Sequence, residues 1–421
     1  MIVKQISPDR FKKFSNEHIL RNMYQTKEYG MLMSRGNYEV MYIGGFAGSE
    51  LRAASLILYK TLGRGMKYGY APRGFLIDYY DAQLLESFTK AVKDYFYKKG
   101  FAFIKINPEV SLSILDYNAK SKSINVNSKD LVMRLKKLGY DKLKDNLYFE
   151  SQLPKYTPVI SLKSYDLSSL SGTLLSNVKE CETCGVHIRN GSFEDIEKFY
   201  PYVKDKDTKT IAYYKHFYKA FASGGKIDLL FAELDYNDYV KHLQKDYAYE
   251  QEKNEKINNA FNENPTDESL YNLKMESDEV LNKIAANINV ANVRMGQETR
   301  SEVLGTAMIV KHEGRVTVYI AGVNKTVTTL DIKSFLYYKI IEEYQKAGYL
   351  FLDMNGITAD FTDSNPYKSL NDFKLSFNPV VYEYIGEFDL IINKTFHQVL
   401  WSTNKIQKEF FKPAVKQKAD M

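Results

Sequence analysis

Hydrophobic and polar positions follow two periods along the chain, and the short apolar stretches predict the strands of mixed sheets. Stretches of strand length lie at 38–46, 51–59, 66–70 and 101–107, and again at 227–234, 303–310, 315–322 and 349–355. In each set a helical pattern precedes the last strand, at 81–99 and at 330–347. Three strands, a helix and a strand therefore occur twice, which predicts tandem α/β domains that arose by duplication.

The joints between helix and last strand are similar in the two sets. Residues 95–109 read YFYKKGFAFIKINPE and residues 343–357 read EYQKAGYLFLDMNGI. Gly100 and Gly348 stand directly before the last strand, where a glycine with left-handed backbone commonly ends a helix. The glycine at the same place in both joints supports the duplication.

Residues 236–299 carry a helical pattern of a different kind. A spacing of three and four positions runs over 240–261, mostly apolar but with Glu250 and Asn254 in two of its slots. A second, mainly apolar series covers 270–295, beyond Pro265, and no glycine lies between Lys226 and Met295. Two such stripes predict an antiparallel helical coiled-coil arm, with Asp267 or Ser269 capping its second helix. The arm takes the place of a strand-to-strand turn in the second domain, where water-facing backbone tolerates insertions.

These patterns predict three parts. The first domain covers 1–150 and is completed by 390–421, the second covers 151–235 and 300–389, and the arm covers 236–299. The order of strands and helix resembles that of acetyltransferase (GNAT) domains. Neither half has the Q/R-x-x-G-x-G/A turn that holds the pyrophosphate of coenzyme A in such domains, so acetyl-CoA use is disfavoured and no cofactor is expected.

Composition narrows the class of protein. The 421 residues are 44% hydrophobic and include two cysteines, which excludes disordered, collagen-like and disulfide-rich classes. The N-terminus has no signal-peptide pattern and no apolar run reaches ~18 residues, so a soluble cytoplasmic protein is expected. Cys181 and Cys184 form a C-x-x-C without a second pair; free thiols are predicted, with a redox or metal role as the alternative. No metal site is predicted.

The charge is distributed unevenly. The net charge is +6, but residues 241–300 hold 8 basic and 11 acidic side chains, a local net of −3 that leaves +9 for the rest. The positive charge of the chain outside 241–300 is compatible with an anionic partner such as phosphate, RNA or a membrane surface. Motifs for nucleotide hydrolysis, dehydrogenases and serine hydrolases are missing from the sequence.

Several segments, in order, resemble the Fem family of peptidoglycan interpeptide-bridge aminoacyltransferases. YAPRGFLID at 70–78 resembles Y-x-x-R-G-P-x-x-D, with Phe75 in place of proline. FAFIKINP at 101–108 resembles Y/F-L-x-I-D-P, with Asn107 in place of aspartate. FKLSF at 373–377 and EYIGEFD at 383–389 resemble the closing F-K-x-x-F/Y and E-Y-I/V-G segments. With MYQT at 23–26, the similarity extends over nearly the whole chain.

The resemblance implies a tRNA-dependent aminoacyltransferase. Its donor would be aminoacyl-tRNA, and its acceptor an amine on the stem peptide or bridge of a peptidoglycan precursor, lipid II or UDP-MurNAc-pentapeptide. A lipid-linked precursor would bring the enzyme to the inner face of the membrane, and a homodimer or a Fem-family partner is compatible with the arm. The arm resembles hairpins of seryl-tRNA synthetases, yet its acidic charge disfavours phosphate, so a structural or partner-binding role is equally open.

The resemblance also assigns site residues. Lys374 would stabilise the oxyanion of ester aminolysis, because a fixed cation or donor near the carbonyl contributes most to that step, and Phe373 would pack against the acceptor. Asn107 could orient substrate but not accept a proton. Either substrate-assisted transfer or a different carboxylate must then serve, and Asp353 and Asp360 are the candidates.

Further residues are expected to bind the precursor. By resemblance, Arg35, Lys209 and Tyr213 would contact its diphosphate, and Tyr319 would be the first of two pocket tyrosines, with Ala321 replacing the second. Arg73 of the first motif is a further binding candidate. Two other readings stay open: a non-catalytic Fem-like scaffold, which Asn107 and Ala321 favour, and a CoA-dependent N-acyltransferase.

Overall fold

The computed structural model describes residues 1–116, 121–145, 147–149, 152–297, 300–324 and 330–402. Over these ranges the chain is a mixed α/β protein built on two mixed sheets. The strands are β1 (Ile2–Gln5), β2 (Glu39–Ala47), β3 (Glu50–Thr61), β4 (Lys67–Ala71), β5 (Phe101–Ile106), β6 (Ser111–Asp116), β7 (Ser121–Ile124), β8 (Tyr140–Lys142), β9 (Tyr156–Ser161), β10 (Val186–Gly191), β11 (Ile227–Asp235), β12 (Ser301–His312), β13 (Arg315–Val323), β14 (Phe351–Asp353), β15 (Val380–Tyr384) and β16 (Phe388–Ile391). The helices are α1 (Pro8–Glu17), α2 (Lys27–Met33), α3 (Ala82–Tyr97), α4 (Val126–Lys137), α5 (Gly172–Thr183), α6 (Ile196–Phe199), α7 (Ile211–Ala222), α8 (Tyr236–Glu263), α9 (Glu268–Gly296), α10 (Ile332–Lys346), α11 (Lys368–Leu375) and α12 (Lys394–Ser402).

The same order of elements forms the centre of each sheet. In the first sheet β2, β3 and β4 pair antiparallel, and α3 returns the chain so that β5 pairs parallel to β4. In the second, β11, β12 and β13 pair antiparallel, and α10 returns the chain to the parallel strand β14. Each predicted element of the two sets is present. The last strand is shorter than predicted because Asn355 adopts a positive φ of 65° and its N–H bonds to the Asp353 carboxylate, which ends β14 in a turn.

The two sheets exchange strands at their edges. The first sheet has the order β1-β2-β3-β4-β5-β16-β8, and the second has the order β10-β11-β12-β13-β14-β9-β15-β6-β7. Strands β6 and β7 therefore belong to the second sheet although they precede the predicted boundary at residue 150, and β16 from the C-terminal part completes the first. The domain boundaries stay a prediction, and residues 403–421 of the predicted C-terminal completion lie outside the described residues.

Helices α8 and α9 are long and lie against each other. They contain 28 and 29 residues, so each rises about 40 Å at about 1.5 Å per residue. The Asp267 carboxylate accepts from the N–H groups of Ser269 and Leu270 and caps α9, as predicted. Near mid-length the buried Asn254 amide donates to Ser277 Oγ at 3.1 Å and Asp278 Oδ1 at 2.7 Å. Such a buried polar contact favours one register of two helices.

A shared core joins the two sheets. Tyr42 and Leu56 of the first sheet pack in the same buried cluster as Phe231 of the second and Phe217 of α7. An ion pair of 2.9 Å between Lys226 Nζ and the buried Glu28 carboxylate adds a polar contact across the same boundary. The residues between the sheets are thus held by both halves. Across the described ranges, we find no helix long and apolar enough to cross a membrane.

Candidate active site

The carboxyl ends of the parallel strands β13 and β14 gather several of the predicted residues. The Asn355 side chain follows β14 and donates from Nδ2 to the backbone oxygen of Tyr319 on β13 at 2.9 Å. One residue further, the backbone oxygen of Gly356 accepts from Lys374 Nζ of α11 at 2.8 Å. Parallel strands end at the same sheet edge, which is where α/β proteins commonly place ligands.

The Lys374 amine is deeply buried. Its residue is 6% exposed, and no carboxylate oxygen among the described residues lies within the 4.0 Å of an ion pair from its Nζ. Burial lowers the pKa of Lys374 to about 7; the Asp353 charge opposes that shift, whereas the charges of Lys333 and Lys206 add to it. An amine in these surroundings changes its charge near neutral pH.

Phe373 lies beside Lys374 and is half-buried. Its ring packs edge-on against Tyr337 with centroids 5.0 Å apart, and Lys333 Nζ lies 3.9 Å from its centre. Phe373 is therefore anchored in the core of the second sheet, and its predicted contact with an acceptor stays a prediction.

Three of the predicted binding residues lie together. The hydroxyls of Tyr213 on α7 and Tyr319 on β13 are 3.0 Å apart, and Lys209 Nζ lies 5.2 Å from the centre of the Tyr213 ring. Burial raises the pKa of both phenols, so both stay protonated, and one hydroxyl donates a hydrogen bond to the other. Arg35 is exposed after α2, and within the described ranges no hydrogen bond or ion pair joins it to this group.

Asn107 and Arg73 meet at the equivalent edge of the first sheet. The Asn107 side chain follows β5, accepts from the Arg73 N–H at 2.8 Å and donates to the Tyr70 hydroxyl at 3.0 Å. Asn107 thus ties the end of β5 to the turn after β4, as Asn355 ties β14 to β13. Arg73 has a positive φ of 52°, and the amide of Asn107 holds that turn.

A carboxylate shared by two arginines lies between the sheets. Glu109 Oε2 is 2.8 Å from Arg315 Nη1, and Glu109 Oε1 is 3.6 Å from Arg73 Nε. The Arg73 guanidinium also donates to the Pro154 oxygen at 2.8 Å and lies 4.7 Å from the centre of the Tyr384 ring. Burial alone would lower the pKa of both arginines, but the Glu109 charge raises it overall. In this arrangement Arg73 joins the two halves.

The two candidate aspartates have different surroundings. Asp353 is buried, and burial raises its pKa while the Arg315 charge opposes the change. Asp360 accepts from the N–H and hydroxyl of Thr362 at 2.9 and 2.7 Å, contacts that lower its pKa. Asp353 thus lies buried at the end of β14, whereas Asp360 belongs to a turn at Thr362.

A polar pocket opens beside Arg73 and Asn107. Its lining includes the cations Lys144 and Lys155, the carboxylate of Glu387 and the ring of Tyr384. Burial raises the pKa of Glu387. Asp145 also lines the pocket and pairs with Lys155 at 3.0 Å, so the lining carries both signs of charge and suits a polar ligand.

Comparison with known proteins identifies the family. The model of the FemAB family matches residues 6–405. This chain belongs to the FemAB family. Aminoacyltransferase FemA of Staphylococcus epidermidis is 22% identical over 397 residues, covering 89% of this chain and 94% of the relative. FemA of Staphylococcus aureus is 20% identical over 419 residues, covering 96% and 99%. The crystal structure of FemX shares the fold, with a TM-score of 0.73 at 17% identity, covering 95% of this chain and all of FemX.

The comparison confirms the family predicted from the series of sequence segments. The structure also shows what the N-terminal segment at 23–26 does. The Gln25 side chain donates to the Pro72 oxygen at 2.8 Å and accepts from the Leu56 N–H at 2.8 Å, which fixes the turn that holds Arg73. Burial raises the pKa of the Tyr24 phenol, on which the charges of both Arg73 and Asp353 act. Tyr24 is thus close enough to both groups of residues to feel their charges.

Four further residues lie at this candidate site and were not predicted from the sequence: Tyr24, Glu109, Arg315 and Tyr384. Tyr24 and Tyr384 lie within segments that carried the resemblance, and Glu109 is the first charged residue after the buried strand β5. These positions in the sequence could have identified the three residues as candidates. Arg315 gives no such signal, because only the fold brings it to Glu109.

Both cysteines are buried and unbonded, as predicted. Burial raises the pKa of each thiol to about 12, and a protonated, inaccessible thiol is a poor nucleophile and metal ligand. Among the His, Cys, Asp and Glu side chains that the structure describes, no group of three is arranged to hold a metal ion.

Proposed function

We propose that this FemAB protein is a tRNA-dependent aminoacyltransferase that extends the interpeptide bridge of peptidoglycan. It moves an amino acid from aminoacyl-tRNA to an amine on the stem peptide or growing bridge of a precursor. Membership of the family and the likeness to two FemA aminoacyltransferases support this assignment. The observation that carries it is the buried Lys374 amine at the ends of β13 and β14, where a fixed donor can stabilise the charge that develops on an ester carbonyl.

The precursor, lipid II or UDP-MurNAc-pentapeptide, offers a diphosphate and an amine. Lys209, Tyr213 and Tyr319 supply one cation and a pair of phenols whose mutual hydrogen bond leaves one O–H to donate elsewhere, which suits the diphosphate oxygens. The pocket beside Arg73 and Asn107 supplies further cations for the peptide's carboxylates. With the lipid-linked form, transfer takes place at the cytoplasmic face of the membrane, and the activated tRNA ester makes a separate cofactor unnecessary.

The architecture behind this site is two tandem GNAT-like domains with a coiled-coil arm. The repeated order of three antiparallel strands, a helix and a parallel strand supports the duplication. The matching roles of Asn107 and Asn355 at the two parallel pairs support it further. The arm of α8 and α9 exposes Leu273, Val280 and Val290, a surface that fits a second copy or another Fem-family protein better than it fits RNA.

The test is a transfer assay with defined products. The purified protein is incubated with a pool of charged tRNAs and with either precursor, and the products are weighed. We expect the precursor to gain the mass of one amino acid residue, and Lys374→Ala to abolish the gain while circular dichroism stays unchanged. Lys346→Ala, which removes an exposed lysine paired only with Glu342 in the described structure, is the matched control. Absence of product with every tRNA would contradict the proposal.

A non-catalytic scaffold is the second candidate. Asn107 replaces the aspartate of the family motif, and both ends of its amide are engaged within the protein. A scaffold would retain bridge-forming partners in a pull-down and lose them when 236–299 is deleted, with no transfer in any assay.

A further inference from the structure

We propose that Lys374 is the general base of the reaction: its neutral amine takes a proton from the acceptor ammonium and later protonates the leaving ribose oxygen. The inference rests on the proposed aminoacyl transfer and assigns Lys374 more than the role of a fixed cation.

The attacking nitrogen must lose a proton before it can form a bond, and the other candidates are poorly placed to take it. Asn107 has no basic atom, and both ends of its amide are engaged. The Glu109 carboxylate is held between Arg73 and Arg315. Asp360 belongs to a turn at Thr362. Among the groups at the β13–β14 edge, this leaves Asp353 and Lys374.

The contacts of Lys374 suit a neutral amine. A lysine ammonium has three protons to donate, and the one hydrogen bond that we find for this amine in the described structure goes to the Gly356 oxygen. A buried charge with so little compensation is costly. A neutral amine keeps that bond and leaves a lone pair available. The Asp353 carboxyl has already committed one oxygen to the Asn355 N–H.

The charged groups that face Lys374 set its proton affinity. Asp353, at the end of β14, favours the ammonium, whereas Lys333 of α10 and Lys206, which precedes α7, disfavour it. Together with burial they bring the pKa of Lys374 to about 7. Since this pKa is lowered, the neutral base is the main form above pH 7 and is lost as the pH falls below it.

The acceptor ammonium gives one proton to Lys374 Nζ, and the resulting amine forms a bond to the ester carbonyl carbon while the π electrons move onto the oxygen. The Lys374 ammonium stabilises that oxyanion. On collapse, the carbonyl re-forms, the bond to the ribose oxygen breaks with its electron pair, and this oxygen takes the proton from Lys374. The regenerated amine accepts the surplus proton of the new amide nitrogen and releases it to water.

Arginine at position 374 separates the two roles. A guanidinium stays charged and cannot accept a proton, so Lys374→Arg retains a cation but loses the base. We expect its kcat to fall by about 10²-fold or more, the usual contribution of general base catalysis, with Lys346→Arg unaffected. Transfer by Lys374→Ala should be partly restored by added ethylamine, and more so at higher pH.

The wild-type protein supplies a second readout that needs no variant. Its kcat/KM should rise with pH and level off above about pH 7. A Lys374→Arg protein that folds and retains activity within threefold, or a wild-type profile flat across pH 6–8, would overturn the inference while leaving the transferase intact. Absence of transfer by the wild-type protein would instead overturn the proposed function.

Discussion

Replacing Glu109 by glutamine should destabilise the junction between the two sheets. The change removes the charge that Arg73 and Arg315 share but keeps the shape of the side chain. Glu109 and Arg73 side chains are 8% and 5% exposed, so solvent screens the loss only weakly.

The magnitude follows from the two contacts. The 2.8 Å contact with Arg315 is a charge-assisted hydrogen bond, of a kind that contributes about 1.5–3 kcal/mol. The variant also leaves the buried Arg73 and the partly exposed Arg315 without the Glu109 charge, and breaking a buried ion pair typically costs about 3–5 kcal/mol. We therefore expect the free energy of unfolding to fall by about 3 kcal/mol or more.

Urea denaturation measures this change. Trp401 is the sole tryptophan of the chain and packs against the core that the two sheets share, so its fluorescence reports on that core while circular dichroism reports on the whole protein. Glu86→Gln, at an exposed position of α3, is the matched control and should change stability by less than about 0.5 kcal/mol. A loss below 1 kcal/mol for Glu109→Gln would refute the argument that this carboxylate holds the junction.

Three further predictions concern the site and the cysteines. Asp353→Asn removes the charge that favours the Lys374 ammonium, so the pH at which kcat/KM reaches half its plateau should fall below about 7; an upward movement would contradict this. Tyr319→Phe removes the hydroxyl that meets Tyr213, so the KM for the precursor should rise severalfold with little change in kcat; an equal loss in kcat would speak against a binding role. Cys181 and Cys184 should resist a thiol reagent at pH 8 in the native protein and react in urea; rapid native labelling would disprove their burial.

Local sequence patterns predicted the strands and helices of the repeated units because side-chain periodicity is a local property. They did not predict that β6 and β7 join the second sheet, although the C-terminal part was expected to complete the first domain and β16 pairs in the first sheet. Those pairings depend on which sheet edge is free, which is a property of the whole fold. The motif at 373–377 predicted Lys374, and the fold supplied its burial and its bond to Gly356.

The contacts at the junction between the two sheets could not be predicted from local sequence patterns either. Glu109 and Arg315 are 206 positions apart, and no spacing rule links them. Asn107 was expected to face substrate from its place in the motif, yet its amide is occupied by Arg73 and Tyr70. A sequence motif locates such a residue, but the structure decides which of its atoms remain available.

The most direct test of the central claim is a single-turnover transfer of labelled amino acid from aminoacyl-tRNA to the precursor. The wild-type protein, Lys374→Ala and Lys346→Ala are compared at equal concentration, with folding checked by circular dichroism. We predict label on the precursor with the wild-type and Lys346→Ala proteins and at least a hundredfold slower transfer with Lys374→Ala. Equal rates for all three proteins, or no label with any of them, would contradict the proposal that Lys374 serves an aminoacyl transfer at this site.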